Sequence, residues 1–154
     1  MAGLFQRLLP AHDESSENTG APAPLYPRVL IITADIRFYA DVLSAVNTRV
    51  WHADWARSVE SAAAICRMGA TPIAIYDEQL PHTDWRDAFR ALRTPLDRPK
   101  LVLAAAREID ESLWRSVLFH KGYDVVSRNA HPGDLKRVLR FAWLSVCEAS
   151  HLAA

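Results

Sequence analysis

Five short apolar runs, each followed by a segment whose apolar residues recur at helical spacing, fill the chain from Arg28 almost to its end. Runs that stay apolar without polar alternation suit strands covered on both faces, and strands joined through helices pair in parallel. Five such strand and helix pairs joined by short loops therefore predict an α/β fold: one doubly wound parallel sheet with helices on both faces. The strands are read at VLII (29 to 32), near Arg49 to Ala53, PIAIY (72 to 76), LVLAA (101 to 105) and VVS (125 to 127). The first helix carries Phe38, Val42, Leu43 and Val46 on one face. The second spans about Ser58 through Ile65 to Met68 and stops at Gly69, a residue able to adopt the left-handed backbone of a helix end. Asp84 caps a third helix bearing Trp85, Phe89 and Leu92, which Pro95 and Pro99 close off. Asp110 starts a fourth, with Leu113, Val117 and Leu118 facing inward and Gly122 behind it. Pro132 opens a last helix that reaches Cys147.

With 154 residues, half of them apolar, the chain has material for one ordinary core and too little for two. Residues 1 to 27 read as a disordered leader, because HDESSENTGAPAP is too polar and too rich in Pro and Gly to bury anything. The folded domain is placed at 28 to 149 and a short tail at 150 to 154. Lys plus Arg and Asp plus Glu balance at 18 each, which gives the whole molecule no pull toward nucleic acid or anionic lipid. Cys66 and Cys147 fall within apolar helical patterns and read as reduced core thiols, which with the lack of a long apolar run suggests a soluble cytoplasmic protein. The six histidines show no metal-binding spacing and no glycine-rich phosphate loop is present, so an enzyme is disfavoured.

Three segments in order resemble the receiver domains of bacterial response regulators. YDEQLPHTDW (76 to 85) resembles the stretch after the third strand, where the phosphoacceptor aspartate is followed four residues later by proline; the acceptor is then Asp77. DVVSRNAHPGDLKRVL (124 to 139) is similar to the fifth strand, the loop that begins with Lys-Pro, and the last helix, with Arg128 in the place of the lysine. VLIITADIRFYADVL falls in register with the first strand and helix, and puts Thr33 and Ala34 where the family carries an acidic pair. The resemblance covers about residues 28 to 147 and implies the flavodoxin/CheY-like strand order 2-1-3-4-5. Thr33, Asp77, Ala104 and Arg128 should then meet beyond the C-terminal ends of the strands.

Phosphoryl transfer to a carboxylate brings two anions together, and needs Mg²⁺ held by acidic ligands plus a cation and a hydroxyl on the phosphoryl oxygens. Against the family pattern, this sequence keeps little of that set. Asp35 lies one residue beyond the acidic-pair position and should point elsewhere, so Asp35 and Asp77 would hold a metal weakly at best and no cofactor is expected. Ala104 takes the place of the switch hydroxyl, with Ala105 and Ala106 beside it. Arg128 keeps the charge of the lysine, but its longer planar fork should pair with Asp77 bidentately. Asn129 replaces the loop proline, Val125 the aromatic switch residue, and Trp85 a small glycine.

The resulting expectation is a stand-alone, degenerate receiver with no output domain after it, acting in two-component (phosphorelay) signalling by protein contact. The resemblance implies that the fourth and fifth helices offer the contact face, toward a second copy or a partner such as a histidine kinase, with no role for nucleic acid or membrane. Five tryptophans and a wide apolar stripe on the last helix, Leu135, Val138, Leu139, Ala142, Trp143 and Val146, fit such a surface or a broad core face. Two other readings stay open: weak phosphorylation at Asp77, and a flavodoxin-like module holding a small ligand in the strand-end crevice.

Overall fold

The computed structural model describes residues 26–69, 71–93 and 98–153. Five strands and five helices alternate: β1 (Arg28–Ile32), α1 (Ile36–Ala45), β2 (His52–Ala56), α2 (Val59–Met68), β3 (Ile73–Asp77), α3 (Trp85–Leu92), β4 (Lys100–Ala105), α4 (Glu111–Phe119), β5 (Asp124–Ser127) and α5 (Pro132–Ala153). All strand pairs are parallel and the order is β2-β1-β3-β4-β5, as the resemblance implies.

Each strand sends alternate side chains to opposite faces, which divides the core in two. On one face Leu30, Ile32, Ala74, Leu101 and Leu103 pack against Ala62 and Cys66 of α2, Trp85, Phe89 and Leu92 of α3, and Leu113 and Val117 of α4. On the other, Val29, Ile31, Ile73, Ile75 and Val102 meet Phe38 and Val42 of α1 and Leu135, Leu139 and Ala142 of α5. Burial of each large apolar side chain contributes about 1.5–3 kcal/mol, so the three central strands, buried along nearly their whole length, anchor the fold. Four helices start at side-chain caps: Asp35, Ser58, Asp84 and Asp110 each accept a backbone N–H of the first turn. Two polar groups in the first core layer lack partners, the Tyr76 hydroxyl and the Trp85 indole N–H.

Several local expectations need correction. The second strand lies at His52–Ala56 rather than at 49 to 53, because the Asn47 carbonyl accepts the N–H groups of Val50 and Trp51 and its side chain accepts that of Arg49, closing a turn over those residues. Gly69 ends α2 in an extended conformation, φ 176°, and not in the left-handed region. Behind α4 it is Lys121, φ 63°, that takes the left-handed position. Gly122 follows it for a different reason: a Cβ there would stand 2.5 Å from Val117 Cγ1 and 2.9 Å from Phe89 Cε2. Leu118 points outward, and Cys147 is exposed while Cys66 is buried. The last helix continues to Ala153, so most of 150 to 154 is helical rather than a tail. The leader, apart from Tyr26 and Pro27, and the stop at Pro95 lie outside the described residues. No helix among the described residues is long and apolar enough to cross a membrane.

Candidate functional site

The C-terminal ends of β1, β3, β4 and β5 converge, and the residues that the receiver resemblance places there come together. Asp77 closes β3 and pairs in register with Ala104 of β4. Its residue is only 1% exposed, so each carboxylate lone pair must find a donor within the protein. All of them do. Oδ1 accepts the backbone N–H of Gln79 at 2.9 Å and Nε of Arg128 at 2.7 Å. Oδ2 accepts the hydroxyl of Thr33 at 2.6 Å and Nη2 of Arg128 at 3.2 Å. The expected bidentate fork is thus present, and Thr33 is a donor to the carboxylate it was aligned beside.

Asp35 departs from expectation. It caps α1 by accepting the Arg37 N–H at 2.9 Å, yet its other oxygen turns into the site and accepts Arg128 Nη2 at 2.6 Å. One guanidinium therefore ties two carboxylates, with Phe38 beneath it at 5.3 Å from the ring centroid. The Arg128 bond, followed by that of the Arg37 N–H, holds the Asp35 carboxyl below its ordinary pKa, and the Asp77 bond pushes the Arg128 guanidinium above its own. The planar fork decides this geometry: Nε and Nη2 together grip Asp77 side-on while Nη2 also reaches Asp35, a bidentate hold that the point charge of a lysine lacks.

Three further contacts shape the site. Glu78 accepts the Ala106 N–H at 2.8 Å and forms an ion pair with Arg107, clipping the loop after β3 to the loop after β4. The Trp55 indole donates to the Thr33 carbonyl at 2.9 Å and stacks on Tyr39 at 4.3 Å. The Gln79 N–H folds back on Asp77 in a turn within the DEQLP segment. The last of these follows from the tendency of aspartate to bond two residues onward, and is the only one a sequence could suggest.

Mg²⁺, the metal that the receiver resemblance implies, does not fit these residues. Both Asp77 oxygens are occupied by two donors each, and Asp35 gives one oxygen to Arg37 and the other to Arg128. Thr33 and Ala34 supply no anionic ligand, and among the described residues no group of three or more His, Cys, Asp or Glu could hold a metal ion. A cation entering here would first have to expel a guanidinium already neutralising the same charges.

A doubly wound sheet in this order, with an acid closing β3 against a base after β5, has the fold of response-regulator receiver domains. No family model matches the sequence, and no curated protein matches it. Solved structures do. The signal receiver domain of an HD domain-containing protein from Pseudomonas fluorescens Pf-5 superposes with a TM-score of 0.72 at 14% identity, over 87% of this chain and 98% of that one. A response regulator from Thermotoga maritima gives 0.67 at 15% identity, over 77% and 98%. The chemotaxis response regulator CheY4 of Vibrio cholerae gives 0.66 at 13%, over 76% and 98%. The chain thus shares the receiver fold with proteins whose sequences differ from it at most positions.

Proposed function

We propose that this chain is a receiver-like domain of two-component signalling that acts by protein contact and not as a phosphoacceptor. The observation that carries the reading is the saturation of Asp77: four donors on its two oxygens pin the carboxylate and lower its nucleophilicity toward phosphorus. Ala104, opposite it, has no hydroxyl with which to follow a phosphoryl group. Arg128 supplies from within the chain the positive charge that a metal would otherwise bring.

Contact through the helices flanking the β5 edge is supported by large apolar side chains left in solvent there. Phe119 on α4 is 79% exposed and Phe141 on α5 is 56% exposed, with Trp114, Leu118 and Leu144 also outward. Such residues are the ones that anchor interfaces. A second copy of the chain and a signalling partner such as a histidine kinase are the two occupants this surface suits.

The test is incubation with a small phosphodonor and Mg²⁺ followed by intact mass. The wild-type mass should not change; an added phosphoryl group that disappears in Asp77→Asn would overturn the reading. For the contact face, Phe119→Asp with Phe141→Asp should abolish self-association in sedimentation, or capture of a cognate kinase. If neither form of association exists for the wild type, the contact role fails.

A further inference from the structure

A cavity of about 610 Å³ opens at the other end of the sheet, where β4 and β5 begin. It is roughly one strand length, about 20 Å, from Asp77. Its walls include Arg90, Arg93, Arg98, Lys100 and Lys121, with the ring of Tyr123 at one side. No carboxylate lines it among the described residues, and Asp97 is the one acid in the sequence between Arg93 and Arg98. Asp124 and Glu148 act on the Tyr123 hydroxyl but do not line the cavity.

Helix ends explain part of this charge. Arg93 caps the C-terminus of α3 and Lys121 follows that of α4, where cations meet the negative end of the macrodipole. Each end is equivalent to about half a negative charge, so two ends offset about one cation of the five. Of the rest, Arg90 has only a solvent-exposed pair with Asp87 at 3.4 Å, and Lys100 has the Tyr123 ring at 5.6 Å. Among the described residues, most of this positive charge faces no carboxylate in the cavity wall.

Two features of the wall bear on what the cavity could hold. The Arg93 Nε is buried without a hydrogen-bond partner, so a small shift of this side chain toward the cavity would gain a bond to an anionic oxygen. Lys121 holds a left-handed backbone, φ 63°, that glycine would adopt without strain, and thereby keeps an ammonium at the cavity wall. Cavities of this volume take small molecules, and arginine forks match phosphate oxygens in pairs.

From this geometry we infer that the cavity is a binding site for a small molecule carrying two or more linked phosphates. It is separate from the strand-end carboxylate cluster, and does not depend on whether that cluster signals. Inorganic tripolyphosphate, titrated into the full chain at low salt and without Mg²⁺, should give saturable heat with one site. Affinity should fall with added salt and be at least about tenfold weaker for orthophosphate. Lys121→Gly, which relaxes the backbone rather than straining it, and Lys100→Gln should each weaken tripolyphosphate by about tenfold. Arg137→Gln, a cation of α5 outside the cavity, should leave it unchanged. ATP serves as a second probe: tighter binding than tripolyphosphate, lost in Tyr123→Ala, would place a nucleobase on the ring. Absence of saturable heat, equal weakening by Arg137→Gln, or insensitivity to both lysine variants overturns the inference. So does tighter binding of duplex DNA than of tripolyphosphate that the same variants abolish.

Discussion

Replacing Arg128 with alanine should destabilise the fold by about 3–5 kcal/mol, the loss expected when one partner of a buried ion pair is removed. The Asp77 side chain is 2% exposed and that of Arg128 is 15% exposed, so water cannot take over the two bonds to Asp77 without opening the strand end. Asp77 would keep only the Thr33 hydroxyl and the Gln79 N–H. Little of the loss comes from the Asp35 arm, since that carboxylate is open to solvent and water can replace the guanidinium there. Asp77→Ala should be milder, about 1–3 kcal/mol, because the guanidinium retains Asp35. The double variant should therefore be less destabilised than the sum of the two by about 1–3 kcal/mol. Urea titrations at constant m-value measure all three. If Arg128→Ala stays within about 0.5 kcal/mol of wild type, or the two substitutions simply add, the account of Arg128 as internal counterion is wrong.

The same site can be rebuilt: Thr33→Asp, Ala34→Asp, Ala104→Thr and Arg128→Lys together should create a Mg²⁺-dependent phosphoryl adduct on Asp77, visible by intact mass, that the wild type lacks. Gly122→Ala should cost about 1–3 kcal/mol in thermal or urea unfolding, since its methyl would strike Val117 and Phe89. Tyr76→Phe should be neutral or stabilising by up to about 1 kcal/mol, because the buried hydroxyl has no partner to lose and its burial already pushes its pKa up to about 12. Asp35 has a folded pKa below its ordinary value, so its contribution is present near neutral pH and disappears as pH falls through that lowered value. The stability gap between wild type and Asp35→Asn should accordingly narrow on acidification below the ordinary aspartate range, and a gap that widens there would refute the assignment.

What the sequence made legible follows from burial. The runs at β1, β3 and β4 are apolar on both faces because they lie in the middle of the sheet, and their shortness between turn residues favours strands over buried helix segments. The edge strand β2, HADWA, is half exposed and carries a histidine and an aspartate, so the apolar pattern alone favours RVWHA, three residues earlier. Leu118 fits the helical repeat as well as Val117 does; which of two adjacent residues faces the sheet depends on the rotation of α4, set by contacts far away in the chain. At the site, the resemblance to receiver motifs is what places Asp77, Ala104 and Arg128 together. The turn of Asp35 into the cluster escaped, because it depends on the reach of a side chain 93 positions later. The left-handed lysine after α4 escaped as well, since an ordinary helix end would have put glycine there.

The tie among Arg128, Asp35 and Asp77 has a physiological corollary. A strand end that crowds carboxylates leans on divalent ions from its surroundings, and its shape then tracks their concentration. Here the balancing charge is covalently part of the polypeptide, so this corner of the molecule should hold one shape whether magnesium is abundant or scarce.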